Sequence, residues 1–150
     1  MDNLQITYGI NTANRENIEA HLVNCNETMC PRLDKRVIIQ DYAGKIHELA
    51  VTFEAWLDHT LVGLVAAYFN DMITKTGYIT DVSVMKDYMG RGIASELMKM
   101  CIGYAKETDF RRIQLEVYKD NSSAIHLYRK FGFLEYSTRG DYMLMCVGLV

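Results

Sequence analysis

The stretch from Tyr78 to Ala105 constrains this chain of 150 residues more than any other. Tyr78, Ile79, Val82, Val84 and Met85 form a β-rich apolar run, and Lys86, Asp87 and Tyr88 break it. Met89-Gly90-Arg91-Gly92-Ile93-Ala94 follows. Ile93, Leu97, Met100, Cys101 and Tyr104 then recur at helical intervals, the apolar stripe of an amphipathic helix. A strand that runs into a helix through two glycines lets backbone approach a ligand closely. It also leaves the first helical N–H groups unobstructed at the positive end of the helix dipole. Such a turn suits a phosphate or pyrophosphate. A tight strand-to-helix turn that binds nothing would need the same small residues, so the spacing alone leaves both readings open.

The length suits one domain, residues 1–150, with a real core. A net charge of −3 gives no reason to expect a nucleic-acid partner. No apolar run reaches the roughly 18 residues of a membrane span. Met1-Asp2-Asn3-Leu4 lacks the basic start and apolar core of a signal peptide, so the expected location is cytoplasmic. Cys25, Cys30, Cys101 and Cys146 contain no C-x-x-C pair and read as reduced thiols, with Cys101 and Cys146 in the core. His21, His47, His59 and His126 are scattered without metal-ligand spacing, and no metal is expected.

In chain order, Leu4 to Ile10 reads as a strand, and Asn14 as the cap of a helix carrying Ile18, Leu22 and Val23. A break at 24–31 precedes a second helix expected from Leu33 to Leu49. Ala50–Leu57 and Leu61–Phe69 form a hairpin about Asp58-His59-Thr60, and Tyr78–Met85 is the next strand. Short turns make these three strands antiparallel. The organising helix ends near Asp109, and Ile113–Val117, reached through it, should run parallel to Tyr78–Met85. Asn121 caps a last helix with Ala124, Leu127, Tyr128 and Phe131 on one face, stopped by Gly132. Phe133–Ser137 and Tyr142–Leu149 close the chain as strands. The fold class is α+β: a mixed, mostly antiparallel sheet of six to seven strands with a central parallel pair and about four helices.

Two segments carry a family resemblance. Asp81-Val-Ser-Val-Met-Lys-Asp-Tyr-Met-Gly-Arg-Gly-Ile-Ala94 resembles the acetyl-CoA motif of the GNAT N-acetyltransferase superfamily, whose turn is Gln/Arg-x-x-Gly-x-Gly/Ala. Gly92 and Ala94 match its small positions, and Met89 stands where Gln or Arg is common. Asn121-Ser-Ser-Ala-Ile-His-Leu-Tyr-Arg-Lys-Phe-Gly-Phe133 resembles the second motif, N-x-x-A-x-x-L-Y-x-x-x-G-F, at every position. The order and separation of the two segments, and the element order of nearly the whole chain, fit as well.

The resemblance implies acetyl-CoA as cosubstrate, with its pantetheine arm against the backbone of Val82, Ser83 and Val84. It implies a pyrophosphate resting on the N–H groups of Met89, Gly90, Arg91, Gly92, Ile93 and Ala94, with Asn121, Ala124 and Tyr128 also at the cofactor. The reaction it implies is attack of a neutral primary amine on the thioester. Tyr128 is expected as the acid for the departing thiolate and the Val84 N–H as the oxyanion donor. Glu116 and Asp81 are the candidate bases, with a water chain as the third option. Trp56, Tyr68, Tyr136 and Tyr142 are candidates for the acceptor pocket, beside the ordinary role of aromatic packing.

Other readings stay open here. A non-catalytic acyl-CoA-binding regulatory domain on the same fold would also use the glycine turn, and Met89 is the departure that favours it. Dinucleotide binding would need a third small residue at Ser95 and parallel crossovers upstream, which the hairpin opposes. The acceptor, a small-molecule or peptide amine, depends on residues 11 to 50 and 134 to 145, which carry no readable motif. A homodimer through the C-terminal strands is an open option.

Overall fold

The structure, a computed structural model, describes residues 5–149. The strands are β1 (Thr7–Ile10), β2 (Val51–Leu57), β3 (Thr60–Asp71), β4 (Thr76–Val84), β5 (Arg112–Tyr118), β6 (Leu134–Arg139) and β7 (Tyr142–Gly148). The α-helices are α1 (Arg15–Cys25), α2 (Ile39–Leu49), α3 (Ile93–Glu107) and α4 (Ser122–Lys130). The strands form one sheet in the order β1-β2-β3-β4-β5-β7-β6. Every neighbouring pair is antiparallel except β4 and β5, which run parallel. This is the expected α+β fold and element order. Leu4, where the first strand was expected to begin, lies outside the described residues.

Each face of the sheet carries its own core. Ile18, Leu22, Ala43 and Ile46 of α1 and α2 cover Leu61, Leu64 and Ala66 of β3. On the other face Ile93, Leu97, Met98 and Cys101 of α3, with Ile125 and Tyr128 of α4, bury Phe53, Val65, Ile79, Ile113 and Leu115. Alternation along β3, with successive side chains on opposite faces, feeds both cores.

Local chemistry sets the ends of the helices. The Asn14 and Asn17 side chains each accept the other's backbone N–H, at 2.8 and 3.0 Å, a reciprocal cap on α1. The Asn121 side chain accepts the Ala124 N–H at 3.3 Å and caps α4. Helix α2 starts six residues later than expected. Leu33–Lys35 instead forms a short 3-10 turn in which the Asn26 side chain takes the Asp34 N–H at 2.8 Å. Val23 is exposed rather than on the buried side of α1, where His21 stands instead. Cys146 is half-buried, opposite Gln114 of β5 and the exposed Leu134 of β6, whereas Cys101 is in the core as expected.

Gly63 decides how closely α3 can sit on the sheet. A Cβ there would lie 2.7 Å from Ile93 Cγ2 and 3.3 Å from Leu97 Cδ1. Gly103, on the same helix, has open space where a Cβ would be. Gly63→Val should therefore cost roughly 1–3 kcal/mol by overpacking. Gly103→Ala should add up to about 1 kcal/mol through helix propensity. Urea denaturation of both variants checks the opposite signs.

Candidate active site

Strands β4 and β5 pair only from Thr76 to Ile79 against Arg112 to Leu115. Beyond that they part. Across β3 and β4, Ala66 faces Asp81 and Ala67 faces Ile79, so Thr80 is an extra residue in β4, a bulge. Tyr42 of α2 holds it: the phenol donates to the Thr80 carbonyl at 2.7 Å and lies 2.7 Å from the Thr80 hydroxyl. The bulge puts Ile79, Val82 and Val84 toward the α3 core and turns Asp81 and Ser83 to the α1 side. The expected division of Asp81 and Ser83 from Val82 and Val84 is thus present.

The register also shows which amides the gap receives. Met85 donates to the Val62 carbonyl at 2.9 Å, straight across the ladder. Bonded and non-bonded pairs alternate in an antiparallel ladder. Val84 and Val82 therefore turn their N–H and C=O away from β3 and into the gap, while Ser83 keeps its backbone bonds to β3. A cavity of about 570 Å³ fills this wedge, walled by residues 79–84 of β4, residues 115–118 of β5, and α4 through Asn121, Ala124 and Tyr128.

The cavity reaches the start of α3. Gly90 and Gly92 have φ of +76° and +80°, a conformation that favours glycine, and a Cβ on either would meet nothing. Gly92 is the N-cap and offers no side chain to the first helical N–H groups. Met89, Gly90, Gly92, Ile93, Ala94 and Ser95 line the opening. Uncapped helical N–H donors with no Cβ at either glycine in front of them fit an anionic ligand. Arg91 stays outside the lining, with its guanidinium 5.9 Å from the Tyr88 ring centre. Lys130 is a cation that sequence reading missed; its ammonium donates to the Ser95 hydroxyl at 3.2 Å.

Three expected chemical residues reach the same cavity: Tyr128, Asp81 and Glu116. Tyr128 is 7% exposed, and burial, then the nearby Asp81, push its phenol well above the ordinary range. It stays a hydrogen-bond donor through neutral pH. Burial also pushes Asp81 up to about 6, while the Ser83 hydroxyl and Arg36 pull it back. Glu116 is half-buried and accepts from Arg139 of β6 at 2.7 Å. The candidate pocket aromatics divide. Tyr142 lines the cavity. Trp56 donates to Glu54 at the far side of the sheet, Tyr68 lies under the Lys45 ammonium, and Tyr136 is half exposed on β6.

Sequence reading missed His21, 1% exposed, which reaches Ser83 from α1. Its only sequence signal was its place on the helix stripe, three residues after Ile18 and four before Cys25. The α1–α2 loop, within the residues 11 to 50 expected to bear on the acceptor, brings Thr28, Met29 and Pro31 to the cavity lining.

Comparison with known proteins agrees with this geometry. The model of the Acetyltransferase (GNAT) family matches residues 15–133. N-alpha-acetyltransferase 30 of Schizosaccharomyces pombe is 34% identical over 71 residues, 47% of each protein, so the chain spans about half the length of that curated relative. The Escherichia coli ribosomal-protein-S18-alanine N-acetyltransferase structure superposes with a TM-score of 0.77 at 15% identity, over 97% of this chain and 94% of that one. The Thermoplasma acidophilum PaiA N-acetyltransferase, solved in complex with coenzyme A, gives 0.75 at 17% identity, over 95% and 99%.

If Tyr42 fixes the bulge, Tyr42→Phe should lower stability by roughly 1–2 kcal/mol, the cost of a lost buried hydrogen bond. Amide exchange should quicken at residues 79–82 beyond the global loss. A uniform change along the chain would contradict that role.

Proposed function

The chain belongs to the GNAT acetyltransferase family, and from that premise we propose that it moves an acetyl group from acetyl-CoA to a primary amine by direct attack on the thioester. The observation that carries this reading is the wedge between β4 and β5, with unpaired Val82 and Val84 amides at one end and the uncapped α3 N-terminus at the other. It suits a long ligand with a polar amide arm and an anionic head. The coenzyme A complex of the PaiA protein supports that choice.

When bound, acetyl-CoA supplies an activated acetyl thioester. Val82 and Val84 align the arm along the strand edge, and the amides from Met89 to Ala94 hold the pyrophosphate, with Lys130 as nearby positive charge. The Val84 N–H donates to the carbonyl oxygen under attack. Tyr128, protonated because it is buried, gives its proton to the leaving sulfur. Of the two carboxylates, Asp81 fits the base better than Glu116. Its affinity for a proton is raised into the working range, whereas Glu116 is held by the Arg139 guanidinium. The names of the S. pombe and E. coli relatives favour a peptide or protein N-terminus as acceptor. The α1–α2 loop and Tyr142 line the same cavity and would flank such a chain end.

Thiol release from acetyl-CoA, measured with a panel of small amines and short peptides, tests the reading. A non-catalytic domain would bind the thioester and release nothing. Tyr128→Phe should lower kcat by roughly 10²–10⁴-fold with cofactor affinity nearly unchanged. Gly92→Glu, which sets a carboxylate against the pyrophosphate, should weaken cofactor binding by roughly a hundredfold, about 2.7 kcal/mol, by calorimetry. Tight binding to the Gly92→Glu variant would discard the proposed anion cradle.

A further inference from the structure

Three buried polar side chains make a connected chain beneath β4. His21 Nδ1 lies 2.9 Å from the Leu61 carbonyl, His21 Nε2 lies 2.9 Å from Ser83 Oγ, and Ser83 Oγ lies 2.7 Å from Asp81 Oδ2. His21 is 1%, Ser83 6% and Asp81 7% exposed. Only Asp81 and Ser83 reach the cavity wall.

Counting hydrogens along this chain fixes its chemistry. A carbonyl only accepts, so His21 carries its proton on Nδ1. Nε2 of a neutral imidazole is then an acceptor, and so is an ionised Asp81. Ser83 has one hydroxyl hydrogen and cannot serve both. With Asp81 ionised and His21 neutral, one of the two short contacts sets acceptor against acceptor. One further proton satisfies the whole chain: Asp81 donates to Ser83, and Ser83 donates to His21. Placing that proton on His21 instead would bury two separated charges. Burial opposes this, pressing His21 down to about 4 while raising Asp81.

We propose that Asp81, Ser83 and His21 form a single proton-accepting unit, in which Asp81 takes the proton of the acceptor ammonium and His21, acting through Ser83, is a positioning residue. The proposal rests on the acetyl-transfer reading of the site. In the step, one N–H bond of the ammonium breaks and one O–H bond forms on Asp81. The Ser83 hydrogen turns from Asp81 to His21 Nε2. The amine is left neutral, His21 gains no proton, and Asp81 later returns its proton to water. The imidazole makes Asp81 a stronger acceptor, because only the protonated unit has every hydrogen bond filled.

The other groups around Asp81 leave this balance in place. Arg36, just before α2, favours the ionised form. The Cys25 thiol of α1 is pushed up to about 12, chiefly by burial, and stays neutral. The phenols of Tyr42 on α2 and Tyr128 on α4 are both raised, chiefly by burial with Asp81 adding to it, and stay protonated.

Two variants, alone and combined, should move the acid limb of the kcat/KM profile in a linked way. His21→Phe removes the acceptor that favours protonated Asp81, so the limb should shift to lower pH, by about tenfold in proton affinity. Ser83→Ala cuts the link between His21 and Asp81, so adding His21→Phe to it should leave the limb where Ser83→Ala alone puts it. A merely structural loss at His21 would shift the limb in both backgrounds. An unshifted limb in His21→Phe, an equal shift in both backgrounds, or a limb moved by Glu116→Gln alone, would overturn the unit. Nitrogen and carboxyl resonances of the full chain, read without acetyl-CoA, should show His21 Nε2 and the Asp81 carboxyl responding together, with the link lost in Ser83→Ala. Independent titration, or an imidazolium forming near the ordinary histidine value, would overturn the proposal whether or not His21→Phe folds. The resonance arm needs no turnover. Absence of acetyl transfer would therefore count against the proposed function, while joint titration would still support the unit.

Discussion

Parallel strands that begin as partners and then separate leave main-chain donors and acceptors facing a void, and such groups are costly unless something replaces the missing strand. In this chain the break falls after Ile79 and Leu115, where the extra residue Thr80 re-aims β4. Much else depends on keeping that wedge open. Tyr42 bonds the bulge from one side of the sheet. Gly63 lets α3 press close on the other, which brings the amides at its N-terminus to the mouth of the wedge. A ligand with amide groups along its arm and an anionic head completes both sets of unpaired donors at once.

Electrostatics then separates the roles of the titratable groups. Tyr128 and Asp81 face the same cavity, and burial favours the protonated form of each. For a phenol, that keeps a donor available, which the proposed reaction gives to the departing thiolate. For a carboxylate, it raises the proton affinity that the proposed reaction uses to take the amine proton. Glu116 shares the cavity but answers to Arg139 of the C-terminal hairpin. The same wedge therefore presents a donor and an acceptor, and the low dielectric strengthens both.

Much of this was legible in the residues. Apolar alternation and the 3.6-residue stripe, driven by the two cores, mark the central strands and the α-helices, and Arg139-Gly140-Asp141 marks the last hairpin as a turn. Asn14 and Asn121 announced their helices through capping chemistry that acts within three residues. Long-range partners escaped. The bulge at Thr80 depends on Tyr42, thirty-eight residues away, and His21 meets Ser83 across sixty-two. The late start of α2 turns on Asn26 capturing the Asp34 N–H, a bond that helical spacing does not register. The Arg139 partner of Glu116 comes from an edge strand with every residue exposed, where no pattern marks it.

Amide hydrogen exchange with and without saturating acetyl-CoA tests the central claim most directly. The account predicts strong slowing at Val82 and Val84 and across the turn from Gly90 to Ala94, with Ser83, whose N–H already serves the β3 ladder, little changed. Unaltered exchange at Val82, Val84 and the turn in folded protein, or slowing confined to another part of the sheet, would contradict it.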